Sequence, residues 1–327
     1  MPPVTIDGSL GITTPMYNGS ITANAVTPSV NMKNRIINGA MGIWQRGTPV
    51  TTSGGYTADR WTQVSGNSIV HTQSTDAPTG FTNSMQMAGT GSNIAQRIES
   101  VNCIGLGGAT VTVSLWYKNS TGSDSLSLSL YYANSTDSFG SVTQIGSNQT
   151  LAASPSSSWT YYTATFTNIS ANAINGLALY IFRGSSATAT GLLTGVQLEV
   201  GSTATSFDYR PYGTELALCQ RYYWAYIADV AYARFASGWC AVTTAARFVY
   251  SFPVKMRASP TASATGSFAV YSGADVVTAI TGIQIGDIGA SSVAIATDVA
   301  SGLTVGQGAL LIANASAAAR FNFSAEL

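Results

Sequence analysis

The chain has 327 residues, with 14 basic and 14 acidic side chains and a formal net charge of zero. Charged residues are 9% of the total, against roughly 25% in an average soluble domain, so hydroxyls, amides and glycine must keep its surface wettable. A chain without a basic stripe is not a phosphate-neutralising nucleic-acid binder. No run approaches about 18 apolar residues, so no membrane insertion is expected. The opening Met1-Pro2-Pro3-Val4-Thr5 has neither the basic nor the apolar part of a signal peptide, which places synthesis in a cytoplasm.

The inventory of reactive side chains is short. Cys103, Cys219 and Cys240 are odd in number and show no C-x-x-C spacing, so they read as small buried hydrophobes rather than a disulfide framework or zinc site. His71 is the sole histidine, which rules out a multi-histidine metal site. Any Ser-His-Asp or Cys-His arrangement would depend on it alone, and its neighbourhood, Ser68 to Gln73, reads as a strand. No phosphate-cradling glycine loop opens a helix. Paired carboxylates for sugar hydrolysis remain open on numbers alone, but Asp76, Asp124 and Asp137 sit singly in loops. The chain reads as non-enzymatic, with no cofactor.

In chain order, residues 1–33 are rich in Thr, Ser, Asn, Pro and Gly without periodicity, and read as an extended arm that must lie on a partner or stay unpacked. A folded region begins at Arg35 with Ile36-Ile37-Asn38-Gly39-Ala40-Met41-Gly42-Ile43-Trp44. Strands then follow at short intervals, as in a sandwich or barrel. Val111, Val113 and Leu115 share one face, and Leu126, Leu128 and Leu130 share another. In the stretch from Trp159 to Phe166, Trp159 and Tyr161 lie opposite Tyr162 and Phe166. Leu177 to Phe182 is apolar on both faces, as in an internal strand. From Leu192 to Val200, the alternation places Val196, Leu198 and Val200 inward and Gln197 and Glu199 outward. Trp44, Trp61 and Trp159 read as core.

Residues 206–222 change character. Thr214 is a candidate N-cap for a short helix carrying Leu216 and Cys219, and the junction between two domains is placed here. The last hundred residues are rich in Ala, Gly and Val. They include the proline-terminated strand Phe248 to Pro253 and end in the alternating strand Arg320 to Leu327, expected to be tied into a sheet. Their core looks thin, which predicts stabilisation by association with further copies.

Several stretches resemble a module of tail-fibre and other virion proteins of tailed phages. These are Asn34-Arg35-Ile36-Ile37-Asn38-Gly39 leading to Trp44-Gln45-Arg46-Gly47, then Tyr56-Thr57-Ala58-Asp59-Arg60-Trp61. Val196-Gln197-Leu198-Glu199-Val200-Gly201-Ser202 follows, with Thr205-Ser206-Phe207 and Arg210-Pro211. Next come Glu215 to Tyr223, and an echo at Phe252 to Thr261 with the terminal Ser324-Ala325-Glu326-Leu327. The resemblance covers the chain from about residue 34 onward. It implies an all-β chain: a jelly-roll β-sandwich similar to carbohydrate-binding modules over 34–212, then a smaller C-terminal β-sandwich domain over 213–327 that acts as a trimerising knob. It further implies a virion location and a homotrimer. The arm 1–33, whose Thr5 to Pro15 is similar to short anchors in such proteins, would attach to a tail or baseplate protein, or to the capsid.

The expected function is host adsorption through surface polysaccharide. Aromatic faces pack on sugar C–H patches while amides and carboxylates take the hydroxyls. The candidates are Trp116, Tyr131 and Tyr132, with Asn134 and Asp137 in a nearby loop, and Tyr161 and Tyr162 as further aromatics. The competing reading is that these rings are core or interface. Related jelly rolls hold calcium between early and late strands, which would engage Asn38 and Glu199. Calcium wants about six or more oxygens, and two donors are in view. Otherwise Glu199 faces solvent or pairs with Arg35 or Arg60. Arg210, Glu215 and Arg221 are expected to fix domain or subunit orientation. The alternatives are a capsid head fibre or decoration protein and, third, a polysaccharide depolymerase, although no β-helix repeat is visible.

Overall fold

Alternating Leu/Val/Ile strands separated by Ser, Gly and Asn turns leave the chain little choice but sheets, and the described residues of the computed structural model form 19 strands, one α-helix and two short 3-10 turns. It describes residues 32–51, 54–65, 69–89, 91, 93–120, 125–152, 157–184, 190–273 and 276–327. The expected arm up to residue 31, with its anchor-like Thr5 to Pro15, lies outside the described residues, as does Asp124.

Ten strands make the first sandwich. They are β1 (Trp61–Ser65), β2 (Val70–Ser74), β3 (Ser84–Ala88), β4 (Asn93–Ile98), β5 (Val111–Asn119), β6 (Leu126–Ser135), β7 (Ser138–Leu151), β8 (Thr160–Phe166), β9 (Leu177–Arg183) and β10 (Thr190–Val200). Two antiparallel five-stranded sheets result, in the orders β1-β4-β9-β6-β7 and β2-β3-β10-β5-β8. Consecutive strands repeatedly change sheet, as the expected jelly roll requires. Val111, Val113, Leu115, Leu126, Leu128 and Leu130 point between the sheets and join Trp61, Met85, Ile94, Leu179 and Leu198 in one core. β9 lies at the centre of its sheet, with Leu177, Leu179 and Ile181 in the core and Ala178 and Tyr180 packed on the outer side against Ala133, Phe139 and Val142.

Three local expectations change. Val200 is exposed, whereas Gln197 and Glu199 are buried. Val196 and Leu198 keep the expected inward face, downstream of a β-bulge where the β10–β5 register shifts between Thr194 and Gln197, and Gln197 and Glu199 are buried because the segment after β10 folds back over them. Trp61 is core, but Trp159 is half-buried, with its indole N–H donating to Asp76 Oδ1 at 3.0 Å. The helix α1 (Tyr212–Gln220) is capped by Pro211, so Thr214 sits within its first turn; the fixed φ of proline suits a helix start.

The C-terminal strands are β11 (Tyr223–Ile227), β12 (Arg234–Val242), β13 (Ala245–Ser251), β14 (Thr261–Thr265), β15 (Phe268–Ser272), β16 (Val276–Gly286), β17 (Ser292–Val299), β18 (Gly308–Ala313) and β19 (Arg320–Ser324). The smaller β-domain expected here has two parts: a closed barrel, β12-β13-β17-β16-β15-β18, and the sheet β11-β19-β14. Closure is aided where β12 crosses β13, since a Cβ on Gly238 would stand 1.9 Å from the Arg247 carbonyl oxygen. The core is not thin. Phe235, Phe248, Phe252, Phe268, Phe321 and Phe323 pack together, with Phe235–Phe321 and Phe252–Phe323 edge to face at 5.2 and 4.8 Å. These rings are scattered through a run rich in small residues, so local composition hid their convergence.

Charged side chains concentrate where α1 and the end of β19 meet the jelly roll. Arg60 is fully buried, pairs with Glu326, donates to the Arg97 carbonyl at 2.6 Å and lies 3.5 Å over the Tyr222 ring. Arg46 pairs with the same Glu326 at 3.2 Å and stacks on Tyr223. Arg221 holds both Glu99 oxygens at 2.9 Å, and the Tyr222 hydroxyl donates to Glu99 Oε2 at 2.9 Å. Burial pushes the Tyr222 phenol up to about 12.

Candidate functional site

On the outer face of the β2-β3-β10-β5-β8 sheet, alternation turns Trp116 of β5 and its cross-strand partner Tyr161 of β8 away from the core. Their ring centroids lie 5.2 Å apart at 49°. The bulge in β10 places Gly195 beside them with φ of +63°, and a Cβ there would stand 2.7 Å from Phe81 and 3.0 Å from Trp116. Glycine is therefore required both for the backbone conformation and for the approach of the two rings.

The segment after β10 supplies the facing wall. Its return path is fixed by the buried Glu199, which accepts from Thr205 N at 2.8 Å, Thr205 Oγ1 at 2.7 Å and Gln197 Nε2 at 2.8 Å. Asp208 N then donates to Gln197 Oε1 at 2.8 Å. Phe207 and Tyr209 are thereby set against Phe81, at centroid distances of 5.0 and 5.4 Å, and the Tyr209 hydroxyl donates to the Gly80 carbonyl at 2.7 Å. The result is a groove of about 690 Å³ with aromatic walls and a rim of Ser and Thr. Its lining carries no charged side chain. Among the described residues, neither the Trp116 indole N–H nor the Tyr161 hydroxyl has a hydrogen-bond partner, and Tyr161 is 42% exposed.

The five sequence candidates do not gather at one place. Tyr131 lies on the outer face of the other sheet, in a row with Tyr180 at 4.7 Å and, beyond it, Phe182. There the polar groups satisfy one another: the Tyr131 hydroxyl donates to Gln144 Oε1 at 3.3 Å, and Gln144 Nε2 and Ser129 Oγ both donate to Asn148 Oδ1. Tyr132, one residue on, turns inward against the jelly-roll core, as does Tyr162 on β8. Asn134 is tied to Ser141 and Thr143 at 2.8 and 2.7 Å. Asp137 accepts from Ser100 N and Oγ at 2.7 and 3.0 Å, bracing the short 3-10 turn Ser100–Asn102. Strand periodicity can assign a ring to a face, but it does not reveal which sheet a strand joins. Phe81, Phe207 and Tyr209 lie outside any strand, so no periodic signal marked them.

The calcium candidates have other duties. Glu199 is committed to Thr205 and Gln197 rather than to solvent, Arg35 or Arg60. Asn38 Oδ1 accepts from Ile43 N at 3.1 Å, and its amide donates to the Ile43 and Asp59 carbonyls. Among the described residues no group of three or more His, Cys, Asp or Glu side chains is placed to hold a metal ion. His71 is fully buried, and burial together with nearby Arg183 holds its imidazole down at about 4. Cys103, Cys219 and Cys240 are buried free thiols, with Cys103 pushed up to about 12 by desolvation. Arg210 pairs with Glu215 at 3.0 Å and donates to the Ile36 and Asn34 carbonyls, while Glu215 accepts from the Asn38 backbone N–H. Together with Arg221, these side chains bind α1 to the jelly roll. No helix among the described residues is long and apolar enough to cross a membrane.

No protein-family model and no curated protein matches the chain. Solved structures similar to it include a crystal structure described as a putative sugar binding protein from Bacteroides thetaiotaomicron VPI-5482. That likeness has 14% identity and a TM-score of 0.39, covering 51% of this chain and 100% of that one. The enzymatically active domain of tailspike protein 4 of bacteriophage CBA120 is similar at 18% identity and a TM-score of 0.36, over 51% of this chain and 21% of that one. The CBM22-1 xylan-binding domain of Paenibacillus barcinonensis Xyn10C is similar at 17% identity and a TM-score of 0.32, over 48% and 97%. Scores this low carry nothing about ligand or activity, which must be argued from this chain's own side chains.

Proposed function

We propose that this chain is a non-catalytic carbohydrate-binding subunit of a virus particle, and that the groove around Trp116 and Tyr161 is where it holds sugar. The observation that carries the reading is this aromatic pair, turned outward, with its N–H and O–H uncommitted among the described residues. Neither ring is buried, so both polar tips stay available at the surface, and such tips beside aromatic faces suit a ligand that is apolar on one side and hydroxylated on its edge. A pyranose has that shape. The uncharged lining favours a neutral sugar. The opposite row, Tyr131, Tyr180 and Phe182, is the weaker candidate because its neighbouring amides already bond one another.

Assignment to a bacteriophage fibre or receptor-binding subunit is supported by the sequence resemblance from Asn34 onward. In this reading the arm attaches the protein to the particle, and copies associated as a homotrimer engage repeated surface sugars, so that avidity strengthens weak individual sites. A capsid head fibre or decoration protein is the second reading, favoured by the same resemblance, which extends to virion proteins beyond the tail.

A screen of the full chain against neutral oligosaccharide fragments of bacterial surface polysaccharides tests the sugar claim. Binding without shortening of the chains is expected. Absence of binding at millimolar sugar sinks the claim, and shortened chains would make the protein a depolymerase. Gold-labelled antibody against residues 213–327 on intact virions tests the location: label at the tail is expected, label over the capsid moves the assignment to the second reading, and unlabelled particles remove both.

A further inference from the structure

The outside of the barrel carries a second, chemically different recess. Trp239 of β12 pairs across the ladder with Arg247 of β13, Arg247 with Ala296 of β17, and Ala296 with Gln284 of β16. Period-two alternation puts all four on the outer face. One step along, Val249, Ala294 and Gly286 form a parallel row. Ala294 and Ala296 of β17 leave a floor between taller walls, and the recess measures about 400 Å³. Asp287, just past β16, closes the far end.

The wall chemistry is specific. Trp239 is 49% exposed, a large apolar face left open on a barrel whose core has ample aromatic filling. Arg247 gives one N–H to the Ala246 carbonyl at 3.1 Å. A guanidinium has five N–H donors, and among the described residues no acid pairs with Arg247. Gln284 and Asp287 are exposed and, among the described residues, make no hydrogen bond through their side chains. Arg247 and Gln284 are two strand spacings apart, roughly 10 Å, which is the span of one pyranose with its substituents.

We propose that this recess binds an acidic saccharide unit, with the sugar's C–H face on Trp239, its carboxylate on Arg247, and its hydroxyls on Gln284 and Asp287. Asp287 fixes the direction, because like charges keep the sugar carboxylate at the Arg247 wall. The jelly-roll groove has no charged lining residue, so the two sites differ in ligand class, and each stands without the other.

The test is calorimetric titration of the full chain with trigalacturonate and with sialyllactose, each beside its methyl ester, together with sedimentation of the same samples. At least one acid is expected to bind, with its ester weaker by about tenfold, since esterification removes the charge-assisted pair. Arg247→Gln should reproduce that loss, and Trp239→Ala should abolish binding. Both side chains are exposed, so thermal unfolding serves as the control for folding. Three results would overturn the proposal: no binding of either acid, equal binding of acid and ester, or a Trp239→Ala variant that dissociates an oligomer, which would make the face a contact between copies.

Discussion

The junction beneath α1 and the groove over β5 and β8 handle polarity in opposite ways. At the junction, Arg46, Arg60, Arg221, Glu99 and Glu326 are drawn into partly or fully buried pairs, each anchored by aromatic rings. In the groove no charge appears, and the polar tips of Trp116 and Tyr161 are left uncommitted. A chain with 28 charged residues places many of its ion pairs where α1 and the end of β19 meet the jelly roll. It leaves the lining of the groove uncharged. Buried ion pairs add little net stability against an apolar substitute, but removing one partner strands the other. The junction should therefore respond to mutation in folding, and the groove in binding.

The largest effect is expected from Arg60→Ala. It would leave Glu326 with only Arg46 and remove the cation stacked on Tyr222, so a loss of about 3–5 kcal/mol is expected in urea unfolding. A loss below about 1 kcal/mol would show that the junction does not hold the lobes.

The pH dependence comes next, and its source lies in the sandwich rather than the junction. The His71 imidazole is held at about 4 in the fold, chiefly by burial, against about 6.5 in the unfolded chain. The unfolded chain therefore takes up the proton first as pH falls. Stability should drop by on the order of 3 kcal/mol from pH 6.5 down to about 4, then level off as far as this group is concerned. His71→Gln should remove that part of the slope, and an unchanged slope would place its origin elsewhere.

Gly195→Ala sharpens the contrast from the other side. The new methyl meets Phe81 and Trp116 at a left-handed backbone position. A cost of about 1–3 kcal/mol is expected, together with a displaced ring pair and weaker sugar binding. Normal binding with normal stability would mean that the close approach is unnecessary.

Legibility follows the same division. The segments that carried the resemblance, around Asn38, Gln45, Asp59, Arg60, Arg210, Glu215 and Arg221, converge largely on the junction, so the sequence spoke clearly about architecture. Strand faces were readable wherever Leu or Val alternated, as in β5 and β6. Alternation gave the right face at Val196 and Leu198 but not the burial of Gln197 and Glu199, because the segment that covers them is brought back by folding. The groove was legible only through Trp116 and Tyr161. Its other walls come from loops, and its combination with Phe81, more than a hundred residues from Phe207, depends on folding. Asn134 and Asp137 looked like ligand-binding polar groups because nothing local shows that Ser141, Thr143 and Ser100 already occupy them.

The most direct measurement is calorimetric titration of a neutral oligosaccharide found in the screen into the wild-type chain, Trp116→Ala and Tyr131→Ala. If the groove is the sugar site, Trp116→Ala weakens binding by about tenfold or more while Tyr131→Ala matches the wild type. The reverse pattern, with Tyr131→Ala impaired and Trp116→Ala unaffected, would contradict the account and move the site to the opposite sheet.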